Sequence, residues 1–510
     1  MSKNTLLKGT AILTIAGLLT RVLGFFYRIF LSNAMDTDKI GIYQLIFPIY
    51  SICFTIYASG IQTSISKLVA AEYGKKQYKN VKRILRIGLF LSVSSALVLS
   101  VLVYYFSDFL AVNYLREASA ASPLRLLAIV FPFCGITACI NGYYYGLKKT
   151  GVPASTQLLE QIVRVIFIYV LVTVIGKNDI KLSTELAVLG LVIGEIVSNL
   201  YNIASMFISS TPKEVARLAS ETNTPPSRKR NLISQMLHMV FPLTGNRLLI
   251  SILHSVEAIL IPTMLKKFGL SSSEALSIYG ILNGMTFPFI MFPSAVTNSL
   301  SVLLLPTISE AVSTSNYVMI KKTTTIAIKY TLLIGILSTG IFIGFGEALG
   351  MVVFHNQIAG NLLVTLAWLC PLIYLTTTLG SIINGLGLAH LTFINSIVGL
   401  LVRILLILYL IPKNGITGYL ISLLISQLVI TFFDGYVIMK HIRPKFEAVD
   451  FILKPGLIIA LLTYILSKLY DYIKTANGGI IPLLFFCGIT AVVYLFILTK
   501  SKIISVNEFK

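Results

Sequence analysis

Two arginines, Arg21 and Arg28, interrupt an apolar run near the N-terminus, TRVLGFFYRIF from Thr20 to Phe30. Seven residues is about two helical turns, so both side chains leave the same face of a helix. A guanidinium stays charged and holds phosphate through a bidentate fork. The chemistry this spacing predicts is the gripping of an anionic, phosphate-bearing group. A second cationic pair, Arg247 and His254, repeats the spacing in a later apolar run, with Asn246 before it where Thr20 precedes the first. Charge at the centre of a bilayer costs about 2.5 kcal/mol or more, so such residues turn toward the bundle interior or a water-filled cavity. Arg21, Arg28, Arg247 and His254 are therefore the candidate binding residues, expected to line a cationic central cavity. The competing reading is local pairing or snorkelling. Glu257, three residues after His254, could neutralise that group.

Four further charges lie in apolar runs. Glu160 and Arg164 stand at i and i+4, a spacing suited to an intrahelical pair. Glu195 and Arg403 have no partner nearby in sequence, which leaves interhelical pairing or coupling to an ion or proton. The five cysteines (Cys53, Cys134, Cys139, Cys370 and Cys487) sit in apolar runs and read as packing residues, neither a disulfide framework nor a metal cluster. No phosphate loop, zinc-protease motif or nucleophile elbow is present, so no ATPase or hydrolase is predicted. No cofactor is expected; any energy input would come from the membrane potential or a cation gradient.

The elements that carry these residues are membrane helices. The chain has 510 residues, is 56% hydrophobic and is 12% charged, about half the charge of a soluble protein. Its apolar runs reach the roughly 20 residues that span a bilayer. The first run has no small-residue cleavage site, and Arg21 and Arg28 interrupt what would follow its apolar core, so it reads as a span and not a signal peptide. Fourteen spans are expected, at 6–31, 40–70, 84–106, 123–147, 153–176, 183–209, 234–265, 275–308, 323–346, 360–388, 392–411, 414–439, 451–470 and 480–499. With the N-terminus in the cytoplasm, 23 lysines and arginines fall in cytoplasmic segments against eight outside, which is the positive-inside bias. The formal charge of +21 is then mostly a topology signal. No nucleic-acid motif accompanies it, and contact of the basic loops with membrane lipids is expected. Both termini and the loop 210–233 should lie in the cytoplasm.

The chain also reads as two halves. SGIQTSIS (Ser59 to Ser66) resembles SAVTNSLS (Ser294 to Ser301), and ING recurs at Ile140–Gly142 and Ile383–Gly385. Each ING precedes a span with a single arginine, Arg164 or Arg403. These matches occur in one order, as in a parallel repeat. The expected fold is all-α: two pseudo-symmetric six-helix bundles, 1–209 and 234–440, joined by a linker at 210–233. Residues 441–510 add two helices and a tail. Asn141-Gly142, Asn384-Gly385, Gly142/Gly146 and Gly190/Gly194 read as helix-packing features. Pro48, Pro132, Pro288 and Pro293 should kink their spans.

TRVLGF in the first span, AMDTD (Ala34 to Asp38) and SGIQTSISKLVAAEYGKKQ (Ser59 to Gln77) resemble the lipid II flippases. They equally resemble the stage V sporulation protein B group and polysaccharide-export proteins of the multidrug/oligosaccharidyl-lipid/polysaccharide exporter superfamily. The resemblance implies two bundles around a cavity that opens alternately to each side. Its cargo would be an isoprenoid pyrophosphate-linked glycan, the implied partner alongside cell-envelope synthesis proteins. The C-terminal pair of helices would form a groove for the isoprenoid tail. Arg21 matches the first arginine of the family motif. Arg28 is displaced by one position from the second, where this chain has Tyr27, and Phe54-Thr55-Ile56-Tyr57 lacks the arginine often found in the second helix. Those departures favour the sporulation and polysaccharide branch. The implied protein is a flippase of the bacterial cytoplasmic membrane and not an enzyme. The alternatives are a cation-coupled multidrug exporter of the same superfamily and, from another class, a membrane-embedded glycosyltransferase or polymerase.

Overall fold

In lipid, an apolar run must satisfy its own backbone hydrogen bonds, which selects the α-helix. The computed structural model describes residues 3–175, 181–221, 229–477 and 479–504, and no strand occurs among them. Lys177, the stretch from Thr224 to Arg228 and Lys510 lie outside the described residues. The chain forms two compact units, Met1–Ile259 and Leu260–Lys510.

In the first unit, α1 (Lys3–Ala34) leads to a broken second span. That span consists of α2 (Thr37–Leu45), α3 (Phe47–Phe54), a wide π turn (Thr55–Ser59) and α4 (Gly60–Gly74). Then come α5 (Tyr78–Tyr105), the single turn α6 (Ser107–Phe109), α7 (Ala121–Ala128), α8 (Phe131–Gly146), α9 (Gly151–Ile175), α10 (Thr184–Ile208) and α11 (Ser210–Glu221). The helix α12 (Lys229–Lys267) begins in this unit. The core joins α4, α5 and α8 through Ile65, Val69, Ile84, Tyr143 and Tyr144. The expected linker is largely helical. Pro212, Val215 and Ala219 of α11 are buried, and Val215 joins the same core. Three small apolar contacts at helical spacing fold a segment whose polar composition reads as a loop.

The second unit repeats the pattern. α13 (Ser272–Gly280), a π turn (Ile281–Thr286), α14 (Phe287–Met291) and α15 (Ser294–Ser313) correspond to the broken second span. α16 (Tyr317–Phe354), α17 (Gln357–Leu366), α18 (Cys370–Gly385) and α19 (Ala389–His441) follow, and α20 (Lys454–Asn477) and α21 (Ile480–Lys500) close the chain. Prolines mark the breaks in both units. Pro48, Pro132 and Pro288 each stand in the first turn of a helix, as does Pro371 of α18. There the missing N–H costs nothing. Pro293 is the N-cap of α15. The interruptions therefore restart helices at proline, and α7 meets α8 at 48°.

Among the described residues, twelve helices are long and apolar enough to cross a membrane, thirteen if the bent α7–α8 pair is one span. The fourteen expected treat 392–411 and 414–439 separately, and both lie in the 53-residue α19. Its backbone leaves the helical region at Gly415 (φ 58°, ψ −138°) just after Pro412. A straight helix of that length would reach about 80 Å, well over twice the hydrocarbon thickness. Only glycine adopts this backbone readily, and a Cβ there would lie 2.9 Å from the Phe268 ring.

The ING glycines are packing sites. A Cβ on Gly142 would stand 2.6 Å from the Gln62 carbonyl oxygen of α4, and one on Gly385 2.9 Å from Ile308 of α15. Each therefore seats the fourth span of its half against the second. All four of these helices end in the same turn. The N–H groups of Gln77, Lys149, Asn316 and Leu388 reach back to the carbonyls of Glu72, Tyr144, Ala311 and Ile383. The preceding residue is left-handed in each case: Lys76, Lys148, Ser315 and Gly387. This 6→1 closure satisfies carbonyls that the helix end would otherwise orphan.

Candidate functional site

The candidate residues of the first unit sit on α1, α9, α10 and α12. α1 buries Ala16, Tyr27 and Leu31, and Gly24 faces the Gln161 amide of α9, which would stand 3.6 Å from a Cβ. Ile15, Leu19 and Phe26 are exposed and apolar. Arg21 and Arg28 follow Leu19 and Phe26 by two residues each, which places them about 160° around the helix. α1 thus has a protein-facing side, an apolar side and a cationic flank that carries both arginines. Both are exposed, and neither guanidinium makes a hydrogen bond or ion pair among the described residues. Tyr43, Arg164 and Tyr27 lie within electrostatic reach of Arg28.

α12 is attached to the broken second span by a polar seam. Arg247 donates from Nη1 to the Ser59 carbonyl at 2.8 Å and also to the Ser59 hydroxyl. Ser251 and Thr55 share a hydroxyl contact at 3.0 Å, and Ser255 donates to the Pro48 carbonyl at 3.2 Å. Thr244 abuts Gly60, where a Cβ would overlap its hydroxyl. Residues 244, 247, 251 and 255 form one stripe of α12, and the π turn and the proline break supply the carbonyls. This seam escapes a sequence reading because its partners are some 190 residues away; the one hint is that Ser59 opens the repeated SGIQTSIS motif. His254 is exposed, with Nδ1 3.5 Å from Oε2 of the buried Glu257. That contact is an ion pair when the imidazole is protonated.

Glu160 and Arg164 form the expected pair within α9. Glu195 comes from α10 and lies within electrostatic reach of both. Gly194 permits the approach, since a Cβ there would be 3.0 Å from the Glu160 carbonyl and 3.4 Å from Arg164 Cβ. Two carboxylates around one guanidinium can hold a proton or a cation. Arg403, in the second unit, is buried and donates from Nε to Ser426 at 2.7 Å, across the break in α19. The structure also buries Asp434, which accepts from Asn395 at 2.8 Å. Its DG context gave no sign of burial. The cysteines Cys53, Cys134, Cys139 and Cys370 are buried among helices.

The far end of α1 is fixed outside the spans. The Leu182 amide donates to the Ala34 carbonyl at 2.9 Å, and Asp36 accepts from Lys181 at 2.6 Å and from Lys39 at 3.1 Å. The Lys181 hydrogen bond, helped by Lys39, holds the Asp36 carboxyl below its usual range, and Asp36 in turn raises the Lys181 ammonium.

Known proteins share this arrangement of helices. Over its whole length the chain is 26% identical to "Stage V sporulation protein B" of Bacillus subtilis (strain 168), covering 98% of that protein. A solved structure described as "Lipid II flippase MurJ, inward closed conformation" matches 97% of this chain and 100% of its own, with TM-score 0.70 and 16% identity. An inward-facing multidrug resistance MATE family transporter of the MOP superfamily matches 83% of this chain and 94% of its own, with TM-score 0.65 and 14% identity. The family model described as "Polysaccharide biosynthesis protein" matches residues 6–312. With its apolar helices and this match over more than half of its length, the chain is a multi-pass membrane protein that belongs to the polysaccharide biosynthesis protein family.

Proposed function

We propose that the protein is a flippase. It carries a lipid-linked pyrophosphate oligosaccharide, a precursor of the cell wall or a related polysaccharide, from the cytoplasmic to the outer leaflet by alternating access. The observation that carries this reading is the cationic flank of α1. Arg21 and Arg28 sit in an apolar span, on one side, and among the described residues neither has a hydrogen-bond or ion-pair partner. A pyrophosphate offers the matching charge, and each guanidinium can hold it bidentately. The relatives named for sporulation and for lipid II flipping support the cargo class. In this reading Arg247 and His254 extend the site, and α20 and α21 receive the isoprenoid tail. The Glu160–Arg164–Glu195 group is proposed to couple transport to a cation or proton gradient. The membrane is the bacterial cytoplasmic membrane, with both termini inside, on the strength of the basic-loop bias.

The test is reconstitution of the full chain in liposomes with a fluorescent lipid-linked pyrophosphate sugar. Flipping of that lipid, without polymer formation or export of cationic drugs, is the expected result. The likeness to a MATE transporter favours a multidrug exporter as the second reading. Drug efflux without lipid flipping would establish that reading and overturn the first.

A further inference from the structure

A second cationic site lies within the second unit. A cavity of about 470 Å³ opens where the first turns of α16 meet the segment leading into α20. This is within the roughly 300–1,000 Å³ of small-molecule sites. Lys321, Lys322, Lys329 and Lys445 line it, with Glu447 as the one lining carboxylate. Lys322, Thr325 and Lys329 leave one face of α16, at spacings of three and four. Lys329 is only 8% exposed, and the wall includes the buried Phe451. The Lys445 N–H donates to the Thr325 hydroxyl at 3.2 Å, which ties the segment to the helix. Val318 lines the cavity and is large, apolar and exposed, as are its chain neighbours Tyr317 and Met319 and, next to the lining residues Lys445 and Glu447 in the chain, Phe446 and Val449.

Four lysines against one glutamate select an anion, and ammonium groups bind phosphate as point charges. The apolar rim selects an anion that brings hydrocarbon with it. A basic pocket between spans is the arrangement that holds anionic lipid headgroups. We propose that this pocket binds the phosphate of an anionic glycerophospholipid from the leaflet at the lysine-rich end of the spans. It shares no residue with the proposed cargo site, so the two proposals stand or fall separately.

The test uses the full chain in phosphatidylcholine nanodiscs and reads melting temperature during titration with phosphatidylglycerol, with more phosphatidylcholine or with sodium phosphate. Phosphatidylglycerol should stabilise the protein, and the other two should not. In Lys321→Gln/Lys322→Gln/Lys445→Gln the titration midpoint should move at least about ten-fold, the loss expected when charge-assisted contacts are removed. These lysines are exposed, so folding is retained. Lys75→Gln/Lys500→Gln/Lys502→Gln, the same change of charge elsewhere, should respond as the parent does. An unchanged midpoint in the pocket variant overturns the proposal. So does an equal shift in the control, or stabilisation by sodium phosphate matching that by phosphatidylglycerol.

Discussion

The first and seventh spans repeat a cationic pair at one spacing, yet they use it differently. On α1 the two arginines have no hydrogen-bond or ion-pair partner among the described residues, and the helix is held by other means: Gly24 against Gln161, and the Asp36–Lys181 clamp at its end. On α12 Arg247 is hydrogen-bonded to Ser59 and His254 faces Glu257. A repeated residue type therefore does not carry its environment with it. In the proposed function the arginines of α1 serve the cargo alone, whereas Arg247 also fastens a helix.

The sharpest way to break this contrast is to remove each charge and read transport and stability together. Arg21→Ala and Arg28→Ala should lower binding and flipping of the lipid-linked pyrophosphate by about ten-fold or more. A lost charge-assisted contact of roughly 1.5–3 kcal/mol sets that scale. Melting in detergent should hardly move, and Arg21→Lys should recover part of the activity. If α1 melts out of place when either arginine is lost, the two spans are alike after all. Arg247→Ala should instead cost stability as well, about 0.5–2 kcal/mol by analogy with other interhelical polar contacts in membranes. Thermal or denaturant unfolding in detergent would measure it.

The clamp at the end of α1 gives a pH test of what holds that span. Asp36 has a depressed folded-state pKa, so its contribution is present above the ordinary value of about 3.9 and is lost as pH falls through the folded value. Lys181 is raised, so its part is present below about 10.4 and is lost as pH rises through the folded value. The clamp should be whole between those limits. Lys181→Ala should reduce the acid-side dependence to the part that Lys39 supplies, read as melting temperature against pH, with only a small loss because Lys181 is exposed and Asp36 partly so. The smallest effect concerns the matched helix ends. Lys148 and Gly387 take the same left-handed position in the two halves. Lys148→Gly should stabilise by about 0.5–1 kcal/mol, and Gly387→Ala should destabilise by a similar amount. A Lys148→Gly that destabilises, or a Gly387→Ala that costs nothing, would show that the turns are not equivalent.

Much of the architecture is legible from hydropathy alone. The expected limits 153–176 and 480–499 fall within two residues of α9 and α21, and 84–106 lies within α5 to one residue at its end but starts six residues late, because a bilayer fixes the apolar length and not the polar first turns. The order of the repeat is legible but its register is not: Gly385 packs on Ile308 and Leu305 as Gly146, not Gly142, packs on Val69 and Ser66, so the second ING stands about one turn further along its helix than the first. Glu160–Arg164 is readable because its partners are one turn apart. The polar seam, Arg403–Ser426 and Asp434–Asn395 join residues from 23 to some 200 apart, and no local pattern encodes such pairs. The breaks at Pro48 and Gly415 change direction without changing hydropathy, so their positions are visible as residue types but their geometry is not.

The π turn at Thr55–Ser59 can be considered as a matter of helical phase. Such a turn holds one residue more than the α-helix around it. Every side chain after it is therefore advanced by about 100° relative to those before. Ile61, Ile65 and Leu68 reach the core with that advance included. Deleting a single residue between Thr55 and Ser59 would restore an ordinary helix and improve its own hydrogen bonding. It would also rotate the whole of α4 away from α5 and α8, turn the Ser59 carbonyl away from Arg247, and carry Gln62 out from under Gly142. The chain is thus one residue out of step with a plain helix at the point where the second span must both pack and bind α12. A deletion scan through this turn would lose folding, whereas replacement by alanine at the same places would be tolerated better.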